Sequence, residues 1–137
     1  MNRYVSVVAM IAVAATLAAC DRGATSPKGA VDATYDLKSI NGASLPFTKT
    51  LGTATLRITS DVLVLRGDGT YEDQTTYEIP SGRRLQSSTT IERGKYSISD
   101  NQISFTDQTN GGSYGGTLSG TTLTQSVNGL TPVYEKR

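Results

Sequence analysis

Hydrophobic and polar residues alternate along most of the chain after residue 31. In TYEDQTTYEI, residues 70–79, the odd positions include Tyr71, Asp73 and Tyr77, whereas every even position is Thr, Glu or Gln. Because successive side chains of a strand point to opposite faces, this pattern predicts a strand with one face toward a core and the other toward water. One dry face and one wet face are typical of antiparallel sheets.

From Asp32 onward no long segment has the three-to-four spacing of apolar positions that indicates a helix. Short runs rich in Thr, Val, Ile, Leu and Tyr are instead separated by Gly, Asn, Asp and Pro, which favour turns. The predicted strands span residues 33–40, 53–59, 62–66, 70–79, 86–98, 102–107, 113–119 and 122–127, with 131–136 as a further candidate.

Strands joined in sequence leave two open sheet edges, and closure into a barrel removes both. We therefore predict an all-β fold, a small antiparallel up-and-down β-barrel of eight or so strands, with an open sandwich as the competing architecture. A barrel of eight strands is either filled by its own side chains or holds one small ligand.

The first residues predict export. Arg3 and the free amine give a positive start, residues 4–17 carry no charge, and small residues precede Cys20, the only cysteine. These are the parts of a signal peptide, and the apolar run is short for a membrane span of roughly 20 residues. The LAAC stretch resembles the lipobox of bacterial lipoproteins, which implies cleavage before Cys20 and a lipid on its thiol. A chance cysteine after an ordinary signal peptide and an uncleaved anchor are the alternatives.

Three regions follow from this interpretation. Residues 1–19 form the signal peptide, residues 20–31 form a lipidated cysteine and a flexible tether, and residues 32–137 form one domain. The predicted location is the bacterial cell envelope, with attachment to a membrane through Cys20. Asp21 is a hint of retention in the inner membrane, and the choice between inner and outer membrane stays open.

Composition narrows the function. The chain has 13 basic and 12 acidic residues and no His or Trp. Without a basic surplus, nucleic acid is not a predicted partner. Without an imidazole or a free thiol, nucleophile–histidine systems and zinc or copper sites built on His and Cys are excluded. We predict a protein that is not an enzyme and has no metal site or cofactor, although a strongly shifted acid beside a second carboxylate would favour an enzyme.

Several acidic and basic motifs are interpreted as turns and loops. Arg66-Gly67-Asp68 is predicted to be part of a hairpin, and surface turns account for the cluster of Asp61, Asp68 and Asp73, which lacks the spacing of a calcium loop. Arg83-Arg84 is predicted to lie in a solvated loop that could contact a partner. Residues 110–116, NGGSYGG, are predicted to form a loop and a narrow strand.

The opening ATYDLKSINGASLPFT, residues 33–48, resembles the first strand and loop of the lipocalin-like lipoproteins of bacteria. It is also similar to META-type domains of small envelope lipoproteins, but their later cysteine motifs are missing. Ala33 replaces the usual glycine, and the tryptophan of true lipocalins is absent. The resemblance implies a calyx-like barrel and supplies no catalytic residues. The matching positions are Tyr35, Leu37, Ile40, Asn41, Gly42, Leu45 and Pro46.

Inward aromatic residues either line a pocket or fill the core. Asp73 lies on the same predicted face, where it either hydrogen-bonds a tyrosine or arginine, marks a ligand site, or indicates that the strand phase is off by one. The expected function is non-catalytic binding of a small, partly apolar ligand, and the alternative is a structural or protein-interaction module acting through its loops. The candidate ligand-binding residues are Tyr35, Tyr71, Asp73, Tyr77, Tyr96 and Phe105.

Overall fold

The computed structural model describes residues 29–137, so the predicted signal peptide, the lipobox and most of the predicted tether lie outside the described residues. All regular secondary structure in the described part is β-strand. The strands are β1 (Ala33–Ile40), β2 (Ala43–Ser44), β3 (Phe47–Leu51), β4 (Ala54–Leu65), β5 (Thr70–Ser81), β6 (Arg84–Ser99), β7 (Gln102–Asp107), β8 (Ser113–Ser119), β9 (Thr122–Ser126) and β10 (Pro132–Lys136).

Eight of these strands form a closed antiparallel barrel in the order β1-β10-β9-β8-β7-β6-β5-β4, and pairing of β1 with β4 closes it. The two short strands are additions to this barrel: β2 pairs with the end of β1, and β3 pairs with the first half of β4. The prediction of an all-β antiparallel barrel is confirmed, and the architecture is compatible with a lipocalin-like fold. The alternative prediction of an open sandwich is wrong, because β1 pairs with both β10 and β4 and so closes the sheet into a ring.

The strand boundaries differ from prediction in two places. The segment between residues 41 and 52 was predicted to be a loop, but it contains β2 and β3. The predicted strands 53–59 and 62–66 are one strand, β4, because a bulge between Ile58 and Ser60 lets the chain continue with a shifted register. The candidate strand at 131–136 is present as β10 and supplies the pairing with β1.

One end of the barrel is closed around the point where the chain enters it. The Tyr96 hydroxyl accepts a 2.7 Å hydrogen bond from the Val31 amide and lies 2.7 Å from the Arg66 carbonyl oxygen. Arg66-Gly67-Asp68 belongs to the β4–β5 turn at this end, as predicted, and the Gly69 amide donates to the Arg66 carbonyl. We call this the closed end.

The half of the barrel next to the closed end is packed with aromatic and aliphatic side chains. Phe105 lies between two tyrosines, with its ring centroid 5.1 Å from Tyr71 in an edge-on contact and 4.9 Å from Tyr114 in a stacked contact. Offset and edge-on geometries are the favourable ones for aromatic pairs. The largest fully buried side chains are Tyr71, Phe105, Leu63, Leu65, Ile103 and Leu123.

The β5–β6 hairpin is longer than the barrel wall. Strand β7 pairs with β6 only from Gly94 to Ser99, so the earlier part of β6 pairs with β5 alone. At the hairpin tip, Leu85 is 57 % exposed beside Arg83 and Arg84. The predicted loop position is wrong for Arg84, which is the first residue of β6 and pairs with Ser81. If the protein is instead a protein-interaction module, this tip is the surface that would contact the partner.

Candidate functional site

A cavity of about 170 Å³ lies between the packed half of the barrel and the end opposite the chain entrance, which we call the open end. One part of its wall is aliphatic and the other part is polar. The aliphatic part consists of Leu37, Ile40, Ile58, Val127, Leu130 and Pro132. The polar part consists of Asp61, Asp73, Thr75, Glu92, Tyr114, Gln125 and Tyr134.

Three adjacent strands place a carboxyl group each at this cavity. Asp73 on β5 and Glu92 on β6 point inward because they share the parity of the buried residues Tyr71 and Tyr96 on the same strands. Asp61 points inward because of the bulge in β4. Regular alternation from Ile58 would place Ser60 inside, and the extra residue in the bulge aims Asp61 inward instead.

Hydrogen bonding is incomplete in the polar part of the wall, which we call the acidic wall. The Thr75 hydroxyl donates to Asp61 Oδ2 at 2.7 Å. Within the described residues, Asp61 Oδ1, Asp73 Oδ1 and Gln125 Nε2 are buried and have no hydrogen-bond partner. Gln125 is only 2 % exposed and Asp61 only 7 %. Unpaired polar groups at this depth are costly, so they mark a site that an additional molecule could complete.

The electrostatics of the wall oppose full ionisation. The pKa of Asp73 is raised well above its usual value, first by burial and then by the neighbouring carboxyl group of Asp61, with a further contribution from the charge of Glu92. The pKa of the Tyr134 hydroxyl is also raised, again mainly by burial and then by the charges of the two aspartates.

Glu92 connects the cavity to the aromatic core. The hydroxyls of Tyr71 and Tyr114 both donate to its Oε1 atom, at 2.6 and 2.8 Å. Burial is the main reason that the pKa of both hydroxyls is raised, so both remain protonated donors at neutral pH. Glu92 also borders two neighbouring depressions of about 410 and 360 Å³ between the open-end loops. The carboxylate is therefore held in a fixed position at the mouth.

The structure separates the predicted site residues into two groups. Asp73 lines the cavity, so the predicted phase of its strand is confirmed. The other candidates do not line this cavity. Tyr77 is half-buried further along β5, and the remaining four are buried in the packed core: Tyr35, Tyr71, Tyr96 and Phe105. A ligand-binding role for these residues stays a prediction.

Sequence reasoning missed most of the polar wall. The surface-turn interpretation is wrong for Asp61 and Asp73, which lie in strands and line the cavity inside the barrel. The sequence did indicate two other residues of the polar wall. Glu92 lies an even number of positions from Tyr96, and Gln125 lies two residues after Leu123, so each points to the same face as a buried residue of its strand. Charged and amide residues at inward positions of a strand were the pattern that could have identified them.

The fold and the cavity define a class of protein: a small closed antiparallel β-barrel with one packed half and an acidic cavity at its open end. Comparison of the chain with protein-family models, with curated proteins and with solved structures finds no match. Within residues 29–137 no helix is long and apolar enough to cross a membrane. The same residues contain no group of three or more His, Cys, Asp or Glu side chains able to hold a metal ion.

The pH dependence of stability tests the environment of Asp73. With its raised pKa, the native state keeps this proton at pH values where the unfolded chain has lost it, so the contribution of Asp73 to stability falls as pH rises above about 4. We therefore expect Asp73→Asn to raise the free energy of unfolding at pH 7. The gain should shrink toward zero near pH 3, as measured by urea denaturation across this range.

Asp68→Asn is the matched control with the opposite sign. Hydrogen bonds from the Thr70 hydroxyl and amide lower the pKa of the exposed Asp68 carboxyl in the β4–β5 turn. This stabilisation is present above about pH 4 and is lost as pH falls. The variant should therefore be less stable than wild type at pH 7, and the difference should shrink as pH falls below about 4. A loss of stability in Asp73→Asn that does not change with pH would contradict the assignment.

Proposed function

We propose that this protein is a lipid-anchored component of the bacterial cell envelope, attached through Cys20, that binds a small, partly apolar molecule without catalysis. The observation that carries the proposal is the cavity at the open end, where an aliphatic wall faces three buried polar atoms without partners. Mostly apolar sites with a few convergent polar groups are typical of small-molecule binding.

The division of the barrel into two halves supports this function. Packed aromatic residues make the closed half rigid, and the cavity occupies only the other half. The sequence left open whether the barrel is filled or holds a ligand, and the interior has one filled half and one half with a cavity. A rigid base beneath a preformed cavity lowers the conformational entropy that binding would otherwise cost.

The direction of the chain supports uptake from the aqueous side. The chain enters the barrel at Ala33, reaches the cavity wall at Leu37 and follows it to Ile40, where β1 ends roughly 23 Å from its start. A lipid on Cys20 would therefore anchor the barrel from the side of its closed end. The mouth of the cavity would then lie on the side of the barrel opposite the attachment.

A second candidate function is carboxylate catalysis, and the acid pair at the cavity favours it. Asp73, with its raised pKa, lies beside the second carboxyl group of Asp61, an arrangement that is enriched at active sites. The two functions differ in the fate of the bound molecule. A binding protein returns its ligand with an unchanged mass, whereas an enzyme converts it.

Native mass spectrometry of the full chain, purified from a bacterial envelope in mild detergent, tests the proposal. We expect a defined extra mass that disappears after organic extraction and returns unchanged when the extract is added back. A changed mass after add-back would favour the enzyme. Wild-type protein without any extra mass, before extraction and after add-back, would contradict the binding function.

A matched pair of variants locates the bound molecule. Val127→Trp places a large ring in the cavity, whereas Val133→Trp makes the same change between the inward residues Pro132 and Tyr134, on the outer face of β10. We expect the extra mass to be lost in Val127→Trp and kept in Val133→Trp, with thermal unfolding showing that both variants are folded. Retention of the full extra mass in Val127→Trp would place the ligand elsewhere.

A further inference from the structure

The unpartnered polar atoms of the interior are concentrated at one place. In residues 29–137, the buried side-chain atoms without a hydrogen-bond partner are Asp61 Oδ1, Asp73 Oδ1 and Gln125 Nε2, and all three residues line the open-end cavity. A buried polar group without a partner destabilises the folded state. Two acceptors and one donor therefore specify a ligand that donates at one point and accepts at another.

The charge at the cavity has one sign. Asp61, Asp73 and Glu92 contribute carboxyl groups, and no lysine or arginine of the described chain lines the cavity. Arg57 is instead paired with Glu78 on the outside of the sheet, with a nitrogen–oxygen distance of 2.6 Å. A cation inside the cavity would offset the mutual repulsion that helps to raise the pKa of Asp73.

The aliphatic wall limits the rest of the ligand. Ile58, Val127 and Leu130 line the same cavity as the carboxyl groups. Its volume of about 170 Å³ is close to that of an engineered cavity of about 150 Å³ that holds benzene. A cationic group on an apolar body about the size of one ring matches both the volume and the two kinds of wall.

We infer that the ligand is a small primary amine with an apolar body the size of one ring, an inference that rests on the binding function proposed above. An ammonium group has three donors and no acceptor, so it can donate to Asp61 Oδ1 and Asp73 Oδ1 together. Hydrogen bonds between charged partners are about twice as strong as neutral ones. An oxygen on the body of the ligand accepts from Gln125 Nε2.

Isothermal titration calorimetry of the full chain in detergent, with 2-phenylethylamine and 2-phenylethanol at pH 7, tests the inference. The two probes share a ring and a chain length and differ in an ammonium against a hydroxyl group. We expect the amine to bind at least about tenfold more tightly, a difference of about 1.4 kcal/mol. The Asp61→Asn/Asp73→Asn double variant should lose this preference and still bind the alcohol.

A second double variant, Glu72→Gln/Glu78→Gln, removes the same charge from the outer face of β5 and should keep the preference. Equal or tighter binding of the alcohol to wild type would overturn the inference that the ligand is an amine, and it would leave the proposed function standing. Binding of neither probe would also overturn the inference that the ligand is an amine. The proposed function itself fails only if the native mass spectra show no bound molecule. A preference that survives in Asp61→Asn/Asp73→Asn would overturn the position given to the ammonium group.

Discussion

Replacing Phe105 by alanine should lower the free energy of unfolding by about 3–5 kcal/mol, the range for a large aromatic side chain removed from a packed core. Phe105 is 0 % exposed and contacts the rings of both Tyr71 and Tyr114. Truncation would remove those contacts and leave a void that the rigid barrel wall can close only in part. Urea denaturation of the full chain at pH 7 measures the loss.

Leu51→Ala is the control for this substitution. Leu51 is 53 % exposed at the end of β3, so its truncation should change stability by less than about 0.5 kcal/mol. A loss below about 1 kcal/mol in Phe105→Ala would contradict the packed half of the barrel. Equal losses in the two variants would do the same.

A second large effect is expected for Gly94→Ala in β6. A Cβ atom at this position would stand 2.0 Å from the carbonyl oxygen of Thr106 and 2.8 Å from Cε1 of Tyr71. The first contact is to backbone of the neighbouring strand, so relief requires β6 and β7 to separate. We expect a loss of about 3 kcal/mol in the free energy of unfolding, at the upper end of the range for overpacking.

Gly115→Ala in β8 makes the same change where the wall has room. The nearest atom to its added Cβ would be the Ile103 carbonyl oxygen at 3.4 Å, an ordinary contact. Its effect on unfolding in urea should stay within about 1 kcal/mol. If Gly94→Ala were as stable as Gly115→Ala, the close approach of β6 to β7 would be refuted.

The strands with regular alternation could be predicted from the sequence, because a period of two directly reports a half-buried sheet. Tyr71 and Asp73 were assigned to the correct face of β5 on this basis. Strand β3 was missed because it pairs on one side only, and most of its side chains are exposed, so no alternation marks it. Closure of the barrel could be predicted from the need to remove sheet edges, but the two additional strands, β2 and β3, could not.

The acidic wall could be predicted only in part, for two physical reasons. A bulge shifts the inward parity by one residue without a distinctive local sequence, and that shift is what turns Asp61 from a surface residue into a buried one. The other reason is long-range register. Gln125 on β9 and Asp61 on β4 meet at one cavity only because the ring closes through β10 and β1, and spacing along the chain does not encode that approach.

The central claim is that the open end of the barrel holds a small molecule, and an NMR titration locates that molecule most directly. Backbone amide shifts of the isotope-labelled full chain in detergent micelles would be followed while small molecules extracted from the envelope are added. We predict the largest shifts around Asp61, Asp73 and Gln125, with little change at the β4–β5 turn of the closed end. Shifts confined to the hairpin tip or the closed end, or no shifts at all, would contradict the claim.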